Sequence, residues 1–257
     1  MHETDCYLCG SPDKAVLFAQ QGHDRWLEVV DPGLHQVTRS WCVCEHCGFV
    51  FRSPVLDNGE FRTLYERYEV NVFRGTTPDA YFDKIIAIPP VQSENRQKIG
   101  WLKQSLQDLG RFPSLAEVDV LDVGCGGGTL LHIAAEELGA ASLAGVELNQ
   151  AYAELAKRRV PGDIRHQGYQ GGMFGKQFDL ILNTKVLEHL QDPGAFIADM
   201  AGDLSEQGVL FLEVPDILEI WTLPPDHERF SIPHIYYYSL ATLSELAARA
   251  GLAVLSH

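Results

Sequence analysis

A short segment near the middle of the chain constrains its fold more than any other. Val120-Leu121-Asp122-Val123 is an apolar run typical of a parallel strand covered on both faces. Gly124-Cys125-Gly126-Gly127-Gly128-Thr129 follows it, and residues 130–138 continue with helical periodicity. Glycines at such a turn let the backbone approach a ligand closely. The segment therefore predicts an α/β fold with a nucleotide-cofactor site at this loop.

Details of the loop indicate which nucleotide it binds. A dinucleotide fingerprint, G-x-G-x-x-G/A, places its third small residue where this chain has Thr129, so an NAD-dependent enzyme is disfavoured. The glycines instead stand at positions 124, 126 and 128, after the acidic Asp122. A second apolar strand, residues 143–146, ends at Glu147. A carboxylate in that position can bind both hydroxyls of a ribose.

Asp122-x-Gly124-x-Gly126-x-Gly128 and Gly145-Val146-Glu147 resemble motifs one and two of the class I S-adenosylmethionine-dependent methyltransferases. Three further segments occur in the order found in this family. Residues 178–183 resemble its fourth strand, Val186-Leu187-Glu188-His189-Leu190 is similar to a helix start, and residues 208–215 resemble its fifth strand. The resemblance implies a Rossmann-like core, with a mostly parallel sheet and helices on both faces.

The resemblance also implies S-adenosylmethionine as the cofactor. Gly124 and Gly126 would lie against its methionine part, Glu147 would hold the ribose, and Asp122 would orient the loop. Ligands bind beyond the carboxyl ends of parallel strands, so residues at the end of the fourth strand are also expected to contact the cofactor. Cys125 is expected as a small buried residue and not as a nucleophile. The predicted cofactor-binding residues are Asp122, Gly124, Cys125, Gly126, Gly128, Glu147, Leu148, Asn183 and Thr184.

Two cysteine pairs near the start of the chain predict a metal site. Cys6-Tyr7-Leu8-Cys9-Gly10 is matched after a spacer by Cys44-Glu45-His46-Cys47-Gly48. Each pair places two sulfurs on one tight turn, and the glycine permits the left-handed conformation that such a turn needs. Four thiolates complete a tetrahedron around zinc with no position open to water. We therefore predict a structural Zn²⁺ bound by Cys6, Cys9, Cys44 and Cys47.

Two alternatives to this zinc site remain open. The pairs could form two disulfides, although Cys42 would then lie nearby as an unpaired thiol. His46 could replace one cysteine as a ligand. Around the pairs, residues 27–30, 41–43 and 49–51 read as short strands of a zinc ribbon, whose metal would stabilise a core too small to fold alone.

Composition excludes several classes of protein. The chain has 257 residues and a formal net charge of −15, which disfavours nucleic acid because phosphate binding needs clustered basic residues. Lys157-Arg158-Arg159 is better explained as the positively charged last turn of a helix. No apolar run is long enough to span a membrane, and no targeting segment is evident, so we expect a cytoplasmic protein without membrane partners. Nothing indicates an oligomeric state.

Changes in composition along the chain predict three parts. Residues 1–60 form the zinc-ribbon-like module, 61–114 a helical lid or linker, and 115–257 the S-adenosylmethionine-binding core. Apolar residues at helical spacing predict a helix over about residues 92–109 within the linker. Its aromatic residues either pack onto the core or cover the cofactor, or do both; they are Tyr65, Tyr68, Phe73, Tyr81 and Phe82.

Methyl transfer also needs a group that removes a proton from the acceptor. Pro233-His234-Ile235-Tyr236-Tyr237-Tyr238-Ser239-Leu240 resembles the E-H-x-x-Y-F-S-L segment of zinc-containing sugar C-methyltransferases, in which the histidine is the base. That family also carries an N-terminal zinc module. The resemblance places His234 at the base, with Pro233 where the family has a glutamate. His189 is the second catalytic candidate, in a position suited to supporting the wall of the site.

These observations favour a methyltransferase that acts on a small-molecule substrate, a polar acceptor. The preferred reaction is C-methylation of a sugar, free or nucleotide-linked. The alternatives are an O-methyltransferase of a small metabolite and a non-catalytic cofactor-binding or scaffold protein. Residues 252–257 match the sixth strand of the family's seven-stranded sheet, and no seventh strand follows. The sequence is therefore expected to be either a fragment or a shorter relative.

Overall fold

A computed structural model describes residues 1–22, 24–67, 75–112, 114–140, 142–224 and 227–257 of the chain. The chain forms two compact units. One comprises Met1–Tyr68, Lys185–Ile197 and Glu213–Val254, and we call it the cysteine unit. The other comprises Glu69–Thr184, Ala198–Leu212 and Leu255–His257, and we call it the glycine-loop unit.

The described residues contain strands and helices in the following order. The strands are β1 (Lys14–Gln20), β2 (Arg39–Cys44), β3 (Val50–Ser53), β4 (Asp119–Val123), β5 (Ser142–Glu147), β6 (Asp163–His166), β7 (Phe178–Thr184), β8 (Leu204–Glu213) and β9 (Tyr236–Tyr237). The helices are α1 (Arg25–Val30), α2 (Asn58–Glu66), α3 (Pro78–Ile86), α4 (Glu94–Leu109), α5 (Thr129–Leu138), α6 (Gln150–Arg159), α7 (Pro193–Gly202), α8 (Ile217–Ile220) and α9 (Leu240–Arg249). None of these helices combines the length and the apolar character needed to cross a bilayer.

The glycine-loop unit is built on a five-stranded sheet in the order β6-β5-β4-β7-β8. The pairs β4–β5, β4–β7 and β5–β6 are parallel, and helices alternate with the strands along the chain. β4 and β7 are nearly continuous buried runs, as strands covered on both faces require. The arrangement confirms the predicted Rossmann-like class, and the strands predicted around residues 120, 143, 178 and 208 are β4, β5, β7 and β8.

Helix α4 confirms the helix predicted over residues 92–109. It begins after Ser93, whose hydroxyl accepts a hydrogen bond from the backbone N–H of Arg96 at 3.3 Å. Ile99, Leu102 and Leu106 lie one helical turn apart and are buried in the same apolar core as residues of β4 and α5. The core of this unit therefore lies between the sheet and its helices, directly behind the glycine loop.

The cysteine unit contains a second, antiparallel sheet in the order β1-β2-β3-β9. β2 and β3 confirm the strands predicted at residues 41–43 and 49–51, and Cys42 lies on β2 as expected. β9 comes from the far end of the sequence and pairs with β3, Tyr237 opposite Val50 and Tyr236 opposite Phe51. A C-terminal segment thus completes the N-terminal sheet.

The strand predicted at residues 27–30 is wrong, because this segment is part of helix α1. The Asp24 carboxylate caps the helix and accepts a hydrogen bond from the backbone N–H of Trp26 at 2.8 Å. Leu27 is fully buried. A run of four residues is too short for its periodicity to separate a strand from a helix, and the cap upstream decides the structure.

The strand predicted at residues 252–257 is also wrong. Helix α9 ends at Arg249, and the residues that follow Gly251 form no strand. Val254 is 51% exposed and Leu255 46% exposed, so neither side chain packs as one in a central strand does. The sheet of the glycine-loop unit has five strands in the described part of the chain.

Candidate functional site

The glycine loop connects β4 to α5 in a conformation that depends on its glycines. Gly124, Gly126 and Gly128 have φ angles of 84°, 53° and 83°, in the left-handed region that favours glycine. A Cβ atom on Gly128 would lie 2.7 Å from Val160 Cγ2, whereas one on Gly126 would enter open space. Gly128 therefore permits close packing of the loop, and Gly126 leaves room on its open side.

A cavity opens beside this loop within the glycine-loop unit. Five of the predicted cofactor residues line it: Asp122, Gly124, Cys125, Gly126 and Thr184. Thr129, Asn95 and Tyr152 also contribute to its wall. Backbone, hydroxyl, amide and carboxylate groups thus share the cavity with aromatic surface, a combination suited to a polar ligand with an aromatic ring.

The structure places the other predicted cofactor residues around the loop. Glu147 accepts hydrogen bonds from the backbone N–H of Gly126 at 2.9 Å and of Asn149 at 2.7 Å, so it braces the loop. Asn183 is buried and donates to the carbonyl of Val123 at 2.9 Å. Leu148 is 50% exposed, and Gly128 packs against α6 and the residue after it.

Two carboxylates next to the loop have unusual electrostatics. Asp122 is fully buried, and its Oδ1 has no hydrogen-bond partner among the described residues. Burial, together with the negative charge of Glu147, raises the pKa of Asp122 to about 7. Burial also raises the pKa of Glu147, against the effect of the N–H groups of Asn149 and Gly126. A cationic ligand in the cavity would stabilise the ionised form of Asp122.

The four predicted metal ligands converge in the cysteine unit. Their sulfurs lie within 4.8 Å of one another, with 3.5 Å between Cys6 and Cys47 and 3.5 Å between Cys9 and Cys44. Ligand bonds of about 2.3 Å to a tetrahedral zinc ion imply sulfur separations of about 3.8 Å, so the cluster fits zinc. His46 is not part of this group of four.

Both cysteine pairs sit on the same kind of turn. The backbone N–H of Gly10 donates to the Cys6 carbonyl at 2.7 Å, and that of Gly48 donates to the Cys44 carbonyl at 2.9 Å. The two glycines have φ angles of 74° and 76°. Although burial opposes it, the backbone N–H groups of Cys47 and His46 lower the pKa of Cys44 to about 7. Cys44 therefore favours the thiolate, the form that binds metal, whereas burial raises the pKa of Cys6 and of Cys47.

The two catalytic candidates come together in the cysteine unit. The rings of His189 and His234 are 4.8 Å apart between centroids. Nδ1 of His234 donates to the Arg229 carbonyl at 2.9 Å, and Nδ1 of His189 donates to the Pro233 carbonyl at 3.1 Å. A carbonyl oxygen only accepts, so the proton of each neutral ring lies on Nδ1 and Nε2 keeps its lone pair.

The surroundings keep His234 neutral. Burial lowers the pKa of His234 well below its ordinary value, and the neighbouring His189, Arg229 and Arg52 add to this effect. The hydrogen bond to the Arg229 carbonyl orients the ring. His234 thus presents an unprotonated Nε2 at neutral pH.

Most polar groups around the two histidines have hydrogen-bond partners within the protein. The hydroxyls of Tyr236, Tyr237 and Tyr238 donate to the carbonyls of Gln191, Arg229 and Leu187 at 3.1, 3.3 and 3.4 Å. Burial raises the pKa of Glu188, whose Oε1 lies 3.8 Å from His189 Nε2. The tyrosines are therefore structural elements of this site.

Sequence reasoning named Tyr81 and Phe82 only as aromatic residues of the linker, and it missed Asn95 and Tyr152. Tyr81 and Phe82 line the cavity from α3, and Phe82 is only 3% exposed, so its side chain is packed within the unit. Tyr68 and Phe73 lie outside the described residues. Tyr152 comes three residues after the cap Asn149 of α6, and no local pattern marks it as a cavity residue.

Sequence comparison places the chain among known methyltransferases. A family model described as a methyltransferase domain matches residues 74–257. A ubiquinone biosynthesis O-methyltransferase from Bartonella quintana is 29% identical over 164 residues, covering 60% of this chain and 65% of the relative. One from Parvibaculum lavamentivorans is 37% identical over 133 residues, covering 48% and 52%. The chain therefore spans less than two thirds of the length of these relatives.

Solved structures with a similar fold are also methyltransferases. A S-adenosylmethionine-dependent methyltransferase from Clostridium acetobutylicum has a TM-score of 0.53 at 13% identity, covering 69% of this chain and 87% of that one. Magnesium protoporphyrin IX methyltransferase from Synechocystis, solved with bound S-adenosylmethionine, has a TM-score of 0.51 at 17% identity, covering 77% and 88%. At such low identities the likeness supports the fold alone.

Proposed function

Because the chain belongs to the methyltransferase-domain family, we propose that it transfers a methyl group from S-adenosylmethionine to a small polar acceptor. The cavity beside β4 carries this proposal. There, a buried carboxylate oxygen of Asp122 without a partner among the described residues meets a glycine loop with open space at Gly126. Bound S-adenosylmethionine supplies an electrophilic methyl group on a positively charged sulfur.

The residues of the cavity fit this cofactor. The loop backbone at Gly124 and Gly126 would bind its methionine part, and the aromatic ring of Tyr152 offers apolar surface for adenine. Glu147 would accept hydrogen bonds from the ribose hydroxyls, because a carboxylate has about four lone-pair positions and can accept further bonds beside those from the backbone. Asp122 would balance the positive charge of the ligand.

Replacing Glu147 by glutamine tests the cofactor assignment. We expect S-adenosylmethionine to bind the variant at least about tenfold more weakly, since a hydrogen bond to a charged group contributes about 1.5–3 kcal/mol. Isothermal titration calorimetry measures the change. Glu154→Gln, an exposed acid on α6, is the matched control and should bind as the wild type does. Failure of folded wild-type protein to bind S-adenosylmethionine or S-adenosylhomocysteine would favour the scaffold alternative.

The pKa of Asp122 predicts that cofactor affinity depends on pH. Without ligand this carboxyl titrates near 7, and a sulfonium favours its ionised form. Affinity for S-adenosylmethionine should therefore rise with pH, by up to about tenfold between pH 6 and 8. S-adenosylhomocysteine, whose sulfur is uncharged, should show a smaller change in calorimetry, and Asp122→Asn should abolish the difference. Equal pH profiles for both ligands in the wild type would contradict this role.

His234 is the proposed base. Its unprotonated Nε2 can accept a proton from the acceptor as the new bond to the methyl carbon forms and the carbon–sulfur bond breaks. That bond's electron pair stays on sulfur, so the products are the methylated acceptor and S-adenosylhomocysteine. His189, held by the Pro233 carbonyl, packs against the His234 ring and would keep it in place.

Two acceptor chemistries follow from different observations. The segment around His234 resembles sugar C-methyltransferases, which favours a sugar carbon, free or nucleotide-linked. The curated relatives are named as O-methyltransferases, which favours a hydroxyl oxygen of a small metabolite. Carbon-13 NMR of product made from a ¹³C-methyl donor separates the two, because a methyl on oxygen resonates far downfield of one on carbon.

We further propose that Cys6, Cys9, Cys44 and Cys47 bind a structural zinc ion. The fit of the four sulfurs to a tetrahedron and the paired turns at Gly10 and Gly48 support it. All four positions would be filled by protein, so the metal would stabilise the sheet and take no part in the chemistry.

A further inference from the structure

Arg52 is a buried cation that no described residue neutralises directly. We propose that its guanidinium binds an anionic oxygen group, a carboxylate or a phosphate, carried by the methyl acceptor. The inference rests on the proposed function and narrows its substrate class: the acceptor is an anion, and neutral small molecules are excluded.

The position of Arg52 is unusual for an arginine. It lies on β3 opposite Trp41 of β2, and its side chain is 0% exposed. Nε, Nη1 and Nη2 all lack a hydrogen-bond partner among the described residues. Burial lowers the pKa of Arg52 to about 10, so the group is still charged at neutral pH. A buried charge with unused donors is strongly unfavourable unless a ligand completes it.

The nearby charged groups already have other partners. Asp24 Oδ2 accepts from Arg39 Nη1 at 2.8 Å and from the backbone N–H of Ile232 at 3.1 Å, and its Oδ1 accepts from the N–H of Trp26. Arg39 and Asp24 thus cancel each other in a buried ion pair. Tyr237 accepts from Trp41 Nε1 at 2.7 Å, and burial raises its pKa, so its phenol stays neutral. The charge of Arg52 therefore has no counter-ion among the described residues.

Arg52 belongs to the surroundings of the proposed base. Its backbone N–H donates to the carbonyl of Ile235, the residue after His234, at 2.8 Å. The charge of Arg52 is one of the causes that lower the pKa of His234. In the proposed arrangement, an acceptor that gives its proton to Nε2 of His234 directs its anionic group to Arg52. The planar fork of a guanidinium suits two-oxygen groups such as carboxylate and phosphate.

A structural arginine and a ligand-binding arginine predict opposite effects of Arg52→Met. Methionine fills a similar volume without charge. If Arg52 is a ligand-binding residue, Arg52→Met should melt about 2–4 °C higher than the wild type when both are measured without ligand, because an unpaired buried charge is removed. Lower thermal stability of the variant would overturn the proposal. Arg67→Met, an exposed arginine of the same unit, is the control and should leave the melting temperature unchanged.

Simple anions then test the site in the full, zinc-loaded chain. Millimolar inorganic phosphate and millimolar benzoate stand for the two classes of anion. We expect at least one of them to raise the melting temperature of the wild type and of Arg67→Met but not of Arg52→Met. Equal shifts in Arg52→Met and wild type, or no shift of the wild type by either probe, would overturn the inference.

Titration of the same samples with S-adenosylmethionine separates this inference from the function on which it rests. Cofactor binding that persists in Arg52→Met while the anion effect is lost supports both. Cofactor binding in every variant without any anion effect contradicts only the anionic acceptor. An anion effect without cofactor binding by the wild type contradicts the proposed function, and Arg52 would then bind an anion that is not a methyl acceptor.

Discussion

Replacing His234 by asparagine is expected to lower kcat by about 10²- to 10⁴-fold, the usual contribution of a general base. Asparagine retains an N–H group that can donate to the Arg229 carbonyl, but it has no titratable nitrogen in place of Nε2. The cofactor cavity is lined by residues of the glycine-loop unit, so affinity for S-adenosylmethionine should not change. Steady-state kinetics and calorimetry on the same samples measure the two quantities.

The pH profile gives an independent readout of the same group. Burial lowers the pKa of His234 below that of an ordinary histidine, so the neutral, basic form persists into more acidic solution. The acid limb of kcat/KM for the acceptor, measured with the wild type at saturating S-adenosylmethionine, should therefore lie below pH 6.5, the ordinary histidine value. In His234→Asn this limb should disappear from the residual activity.

His189→Asn is the matched control for this assignment. His189 shares the Nδ1-to-carbonyl hydrogen bond but is proposed only to support the ring of His234, so its loss should lower kcat much less. A larger decrease for His189→Asn than for His234→Asn would reverse the two roles.

Loss of the proposed zinc site is expected to unfold the cysteine unit. Structural zinc sites contribute about 10–16 kcal/mol in small peptides, which is comparable to the whole stability of a typical domain, about 5–15 kcal/mol. The double variant Cys6→Ser/Cys44→Ser removes one ligand from each turn. We expect it to bind less than stoichiometric zinc and to lose near-ultraviolet circular dichroism from the buried Trp41, Tyr236 and Tyr237.

Cys42→Ser is the control for the cysteine substitutions. Cys42 is buried on β2, but its sulfur is not among the four that converge, so this variant should retain zinc and its tertiary signal. Zinc content is measured by inductively coupled plasma mass spectrometry on dialysed protein. A double variant that keeps its near-ultraviolet spectrum after losing zinc would show that the sheet does not depend on metal.

Local patterns predicted the glycine loop and the strands beside it because their determinants are adjacent in sequence. The left-handed angles at Gly124 and Gly126 need glycine, and an apolar run that leads into such a loop is typical of a covered strand. The cysteine turns are equally local, since each glycine follows its pair directly. Sequence reasoning therefore named five residues that line the cavity and the four cysteines whose sulfurs converge.

Features that depend on distant contacts were missed. β1 and β9 owe their existence to pairing with other strands. Trp41 and Tyr237 hydrogen-bond across 196 positions of sequence, a pairing that no local window contains. The burial of Arg52 follows from the same long-range packing, so a charged residue in a short strand gave no sign of its surroundings.

Pairing between β3 and β9 has a consequence for how the protein is synthesised. Both cysteine turns are complete once Gly48 has been translated, so metal can be captured early. β3, however, keeps an open edge until Tyr236 and Tyr237 leave the ribosome at the other end of the chain. During that interval the nascent polypeptide would carry the proposed zinc ion in an incomplete sheet, whose free edge is a site for chaperones or for misassembly. His234 reaches its place beside His189 only when the closing strand arrives.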